Sequence, residues 1–283
     1  MNQDSAPIRR SIGRSVEDRE IVLYGNCALD GTEPGRGTLL IGGMHGDEVA
    51  TVLLLEDFLA RYLTPGGLTE PVAILPLANP DAYERRSRYN ARGVDLNRNC
   101  DYAWSEDSVE PPGPAPWSEP EICALRDFIL AWQPRQIVSL HWALAEIDAD
   151  GEQSTELAQA MWDALSPEER RPYRLRVTEL GRGKRRLQHT YAICPGSLGQ
   201  WVGYGLEYPD GTQPRMITLE LPYDPTAATR PENLPDGHLS SLHDLWHRDS
   251  SAYLRCVEPG VHKMLLAACR YRAEASAAPE TVS

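Results

Sequence analysis

Residues 38–48 read TLLIGGMHGDE. The run Thr38–Gly43 is apolar and closes on two glycines, the pattern of a buried strand that stops abruptly. Asp47–Leu63 follows with Val49, Val52, Leu53, Leu55, Phe58, Leu59 and Tyr62 mostly at helical spacing. A strand feeding directly into a helix is the start of a parallel crossover unit. The same alternation continues outward. Ile21–Tyr24, Val72–Pro76, Gln136–Leu140 and Met216–Leu221 read as strands. Ser118–Trp132, Thr155–Leu165 and Ser251–Arg272 read as helices, the last open to a break at Pro259 and Gly260. The expected fold is α/β, a mixed, mostly parallel twisted sheet flanked by helices. Residues 1–15 are polar and are expected to be loosely held. Residues 223–250, rich in Pro, Asp and His, are expected to be a surface insertion on one domain spanning 1–283.

In such sheets ligands collect beyond the carboxyl ends of the strands, and three chemistry-bearing residues fall there. His45 follows the strand Thr38–Gly43, His141 follows Gln136–Leu140, and Glu220 lies late in Met216–Leu221. His45 and Glu48, three apart at a strand-to-helix junction, can converge on one ion. A catalytic zinc takes nitrogen and oxygen donors from three residues and keeps a position open. Alone, the pair equally fits an exposed His and a first-turn Glu favouring the helix dipole. His141 alone equally fits a satisfied core histidine. Glu220 alone equally fits an outward-facing strand residue.

The company of these residues is more specific. GRSVEDREI, GGMHGDE, NPDAY, RYNARGVDLNRN, SEPE, VSLHW, PGSLGQW and ITLELP occur in that order between Gly13 and Pro222. On these motifs the chain resembles the zinc carboxypeptidase family, with its His-x-x-Glu pair, downstream Asn-Arg pair, third His after a strand and late Glu. It is particularly similar to the short bacterial branch that includes the murein peptide amidases. The resemblance implies a zinc carboxypeptidase-like fold and one zinc ion held by His45, Glu48 and His141. It implies Glu220 as the base and Arg88 as the group polarising the scissile carbonyl, with Arg92 close enough to share or replace it. Asn97 and Arg98 would bind a substrate carboxylate, which a guanidinium fork matches. Asp95 would orient His45 through a hydrogen bond. Tyr191 would be a mobile hydroxyl donor, and Leu198 with Trp201 would line the side-chain pocket. The chain departs from the family at Cys100, where an aromatic is common, and at Ala82 in place of a Gly. Trp142 adds bulk beside His141.

The resemblance further implies hydrolysis of an amide in a small peptide with a free carboxylate, murein peptide first. Rival readings are a carboxypeptidase or an N-acyl amino acid deacylase acting on other substrates, or a non-catalytic binding module on the same fold. Composition narrows the partners. With 28 basic against 41 acidic residues the formal charge is −13, which disfavours nucleic acid and anionic membranes. The N-terminus lacks a signal-like apolar stretch, no run is long enough to span a bilayer, and six scattered cysteines contain no CxxC pair. A cytoplasmic location is expected. The basic run Arg182–Arg186 fits either an attractor of anionic peptide or a solvated loop. His243 and His247, four apart, fit a solvated or partly packed helix face better than a second metal, since no third ligand is evident nearby. No feature of the sequence sets an oligomeric state.

Overall fold

The computed structural model describes residues 6–32, 37–178, 194–223 and 238–272, with the backbone alone over 238–250. Seven strands form one sheet: β1 Ile8–Arg14, β2 Glu20–Gly25, β3 Thr38–Ile41, β4 Val72–Leu75, β5 Gln136–Asp150, β6 Arg174–Thr178 and β7 Arg215–Pro222. The helices are α1 Val49–Tyr62, α2 Pro80–Arg85, α3 Pro120–Trp132, α4 Thr155–Asp163, α5 Pro167–Arg170, α6 Leu198–Gln200 and α7 His238–Arg270. β1–β2 and β2–β4 pair antiparallel, whereas β4–β3, β3–β5 and β5–β6 pair parallel. The sheet is therefore mixed and mostly parallel, as expected.

Side-chain alternation splits the core into two layers. Leu40, Ile74, Val138, Leu140, Ile217 and Leu219 face α1, α4 and α7. Leu39, Ile41, Ala73, Leu75, Ile137 and Met216 face α3 and the turn around Leu198–Val202. Burial on both faces explains why these strands read as continuous apolar runs rather than as alternating ones.

β5 is longer than the expected Gln136–Leu140 and changes direction. Gln136–Ala143 pair with Arg215–Pro222 in ascending register, and Glu146–Asp150 pair with Glu220–Met216 in descending register. The strand thus bends around the end of β7 and flanks it on both sides. The reversal falls at Ala145, which takes a left-handed φ of 56°, a conformation that a small side chain tolerates better than a bulky one. This bend sits beside Glu220 at the carboxyl end of β7.

Two expectations are corrected. Residues 8–14 are not loose: they form β1, an edge strand whose polar side chains remain outside while its backbone pairs with β2. α7 runs unbroken through Pro259 and starts at His238, so the expected break at Pro259 and Gly260 is absent and residues 238–250 of the expected surface insertion are helical, residues 224–237 lying outside the described residues. Pro259 removes the bond to the Arg255 carbonyl, at a cost of about 3 kcal/mol in a helix interior. Val257, Val261, Met264, Leu265 and Ala268 are buried on one stripe of α7. Burying each larger side chain contributes about 1.5–3 kcal/mol, enough in sum to keep the helix whole.

Candidate active site

The turn after β3 is shaped by close approach. Gly43 has a φ of 60°, and a Cβ on Gly46 would lie 2.0 Å from the Ala82 carbonyl carbon. The Gly46 N–H donates to the Ser87 carbonyl at 2.9 Å. Only glycine lets the His45 turn press against α2, and that contact brings Arg88–Asp95 over the end of β3. Ala82 itself is fully buried in this contact.

His45, Glu48 and His141 meet there, and their ligand atoms all lie within 4.8 Å of one another. Glu48 Oε1 is 2.7 Å from His45 Nδ1, and Glu48 Oε2 is 3.3 Å from His141 Nδ1. The two rings stand 5.1 Å apart. His45 is only 2% exposed, and its two partners are equally deep. The far nitrogens are also occupied. His45 Nε2 lies 3.2 Å from Asp95 Oδ1, and His141 Nε2 lies 3.1 Å from Ser139 Oγ. Both imidazoles thus turn Nδ1 toward the carboxylate while Nε2 is held from behind, the arrangement that orients ligating histidines. Glu48 Oε2 is buried without a hydrogen bond. A donor set of two nitrogens and one carboxylate, whose Oε2 has an ion-pair contact with His141 but no hydrogen bond, fits zinc.

Charge is unevenly spread. Burial works against ionising His45, but Glu48 and Asp95 outweigh it and raise its pKa to about 9. His141 is lowered, chiefly by burial. Burial opposes the Glu48 carboxylate too, yet the two imidazoles hold it near 2. Asp95 is driven well below the usual carboxylate range: burial is overcome by Arg88 and His45. Glu220 goes the other way. Burial and the neighbouring Glu48 charge push it up to about 8. It stands opposite His141 in the β5–β7 register, and its Oε2 accepts the Leu144 N–H at 3.4 Å.

Arg88 joins the cluster and Arg92 does not. Arg88 donates from Nε to Asp95 Oδ2 at 3.0 Å, and its Nη1 lies 3.3 Å from His45 Nδ1. Arg92 is turned toward Glu119 and the Ser118 carbonyl. Asp95 also caps the short turn Leu96–Arg98 by accepting the Asn97 N–H at 2.8 Å. Asn97 Oδ1 accepts the Leu198 N–H at 2.9 Å, and Arg98 Nη1 donates to the Asn97 carbonyl at 2.6 Å. The Cys100 N–H donates to the Gly196 carbonyl, and a Cβ on Gly196, whose φ is 72°, would lie 2.2 Å from the Arg98 carbonyl oxygen. The Asn-Arg turn and the Pro-Gly-Ser turn are therefore one unit.

Leu198 needs correction. Its side chain is 1% exposed and packs in the core with Cys100 and Trp201, so it has no face for a substrate. Its contribution is the backbone N–H. Trp142 likewise points away from His141: its Nε1 donates to the Pro222 carbonyl at 3.0 Å and its ring lies 5.1 Å from Tyr253. Adjacent strand residues face opposite sides. Ser139 escaped notice in the sequence, although its i, i+2 relation to His141 on a strand is the signal that would find it. Tyr191, the run Arg182–Arg186 and the side chains of His243 and His247 lie outside the described residues.

Comparison with known proteins follows the same lines. Residues 6–147, half of the chain, match the model of the zinc carboxypeptidase family. The chain is 38% identical over 125 residues to murein peptide amidase A of Escherichia coli K12, a segment that covers 39% of this chain and 50% of that protein. The chain thus spans about half the length of that curated relative. The crystal structure of murein-tripeptide amidase from Escherichia coli O157 aligns over 87% of this chain and 95% of its own, with a TM-score of 0.54 and 26% identity. Carboxypeptidase A from Helicoverpa armigera aligns over 95% of this chain and 70% of its own, with a TM-score of 0.61 at 18% identity, a likeness of fold alone.

Proposed function

This chain belongs to the zinc carboxypeptidase family, and from that premise we propose that it hydrolyses an amide in a small peptide bearing a free carboxylate. The observation that carries the reading is the convergence of His45, Glu48 and His141 with Glu220 directly across the sheet from His141. The murein peptide is the leading substrate, cut between γ-D-glutamyl and meso-diaminopimelate. This choice is supported by the similarity to murein peptide amidase A.

His45 Nδ1, Glu48 and His141 Nδ1 would hold the zinc ion, which when bound supplies Lewis acidity at the scissile carbonyl. The chain's own groups do the rest. Glu220 takes a proton from the attacking water and returns it to the leaving amine as the carbon–nitrogen bond breaks. Its pKa is raised first by burial and then by the nearby Glu48 charge, so neutralising that charge favours the basic form. Arg88, anchored by Asp95 and 15% exposed at its side chain, directs its remaining donors at the developing oxyanion. Arg98 and the amide end of Asn97 receive the substrate carboxylate. Asn97 Oδ1 is committed to Leu198, so only its NH₂ can donate there.

The test compares murein tripeptide with ordinary peptides and N-acyl amino acids, with Glu220→Gln as control. Release of diaminopimelate from the tripeptide, abolished at least about a thousandfold in the control, is expected. Turnover of ordinary peptides or N-acyl amino acids alone would transfer the assignment to those substrates. Undiminished hydrolysis by Glu220→Gln would remove Glu220 from its role, and binding without any turnover would make the protein a recognition module.

A further inference from the structure

A second group of potential ligands lies on the helical side of the sheet, built from residues with no part in the site above. Asp57 on α1 and Glu258 and His262 on α7 place one ligand atom each within 4.8 Å of the others. Glu258 and His262 are one turn apart on the same face of α7, and Asp57 meets them from α1. His262 is 3% exposed. Its ring stands edge-on to Phe58 at 5.3 Å and to Tyr62 at 5.5 Å, which fixes its plane. One ring nitrogen is engaged with the Leu54 backbone. The other, Nε2, is buried without a hydrogen bond and faces Asp57 Oδ2 at 3.6 Å.

That contact pairs two electron-rich atoms. With one ring nitrogen held by the Leu54 backbone, Nε2 is the nitrogen left to offer a lone pair. A lone pair directed at a carboxylate oxygen calls for a cation between them. Arg61 supplies part of that charge. It lies 2.7 Å from Asp57 Oδ2 and 2.8 Å from Glu258 Oε1 but leaves Nε2 without a donor. Its side chain is 52% exposed, free to swing toward solvent.

We propose that Asp57, Glu258 and His262 form a second divalent-metal site, taking zinc or a similar transition ion and clamping α7 to α1. One imidazole and two carboxylates are a donor set such ions accept, and the partly exposed carboxylates leave a side open to water. The backbone-held ring presents its free nitrogen as ligating histidines do. Arg61 competes with the ion for the carboxylates. The clamp is structural: α1 begins at Val49, directly after Glu48, so fastening its far end steadies the helix that carries one ligand of the first site.

Zinc titration of the chelator-treated full chain, with stoichiometry from equilibrium dialysis, tests this. The parent should hold one more equivalent of zinc than Glu258→Gln or His262→Gln, and zinc should raise its Tm further than theirs. Arg61→Gln should bind that equivalent about tenfold more tightly, because a competing charge is gone. Glu258 and Arg61 lie at the rim, so those variants carry the test should His262→Gln fail to fold. Equal zinc stoichiometry in parent and Glu258→Gln overturns the proposal. So does an Arg61→Gln chain that loses stability without binding zinc more tightly, which would mark the cluster as an ion-pair network. The comparison counts one equivalent between variants, so it is independent of whether the first site turns over substrate.

Discussion

Glu48 divides its two oxygens between two imidazoles, and that division makes the site sensitive to protons. In the metal-free chain the folded His45 holds its proton more tightly than the unfolded one, with a pKa near 9 against 6.5. Its contribution to stability is therefore complete below pH 6.5 and is lost as pH rises through 9, on the order of 3 kcal/mol. Glu48 works in the opposite sense: its pKa falls from 4.5 to about 2, so its contribution is present above pH 4.5 and lost as pH falls through 2. Urea midpoints of the chelator-treated protein should fall between pH 6.5 and 9, and zinc affinity should rise over the same range as the competing proton leaves. A flat apo profile there would mean that His45 is neutral. Asp95→Asn tests the support behind His45 and should weaken zinc binding about 10- to 100-fold by titration. An unchanged affinity would reduce Asp95 to a partner of Arg88 and a cap of the Leu96–Arg98 turn. The ligands were readable from residue type and position after strands. The resemblance points to Arg88, but residue type and spacing alone leave Arg92 open, since both lie in one loop and the closure of that loop on Asp95 and Glu119 separates them. Leu198 misled because its useful atom is a backbone N–H, which no side-chain reading exposes.

At the scale of elements, two turns act as one. Gly196 is locked against Arg98, and the Asn97 side chain bridges to Leu198. Gly196→Ala must both strain a left-handed backbone and displace the Arg98 carbonyl. It should raise KM for a carboxylate-bearing substrate about tenfold or more with a smaller effect on kcat, because the anchor moves while the base stays. A pure kcat loss would indicate that the turn positions the reacting groups. The elements that sequence left out share a physical cause. β1 is a polar edge strand whose pairing is carried by backbone, so its side chains carry little apolar pattern. The second arm of β5 alternates buried and partly exposed residues from Ala143 to Ala149, as a strand should. It was lost because the reversal at Ala145 carries no Gly, Pro or Asn to mark it. α7 shows the converse, a proline that reads as a break but is overruled by the stripe packed beneath it.

Across the whole molecule, the site draws on residues from His45 to Glu220 and lies at the strand ends of one sheet, so it should persist only as long as both core layers do. α7 closes one of those layers from the far end of the chain, and no helix among the described residues is long and apolar enough to cross a membrane. Leu265 is fully buried where α7 meets that layer and is not one of the proposed ligands. Leu265→Ala should cost about 2–5 kcal/mol through lost burial and the cavity left behind. For a chain of this size that lowers Tm by roughly 3–8 °C. If site and core melt as one unit, the midpoint of thermal inactivation should fall by the same amount as the circular-dichroism midpoint, while kcat at 20 °C stays near the parent's. Activity lost well below the structural transition would mean instead that the Arg88–Cys100 and Gly196–Trp201 turns open independently of the sheet, as a separate, weaker cooperative unit.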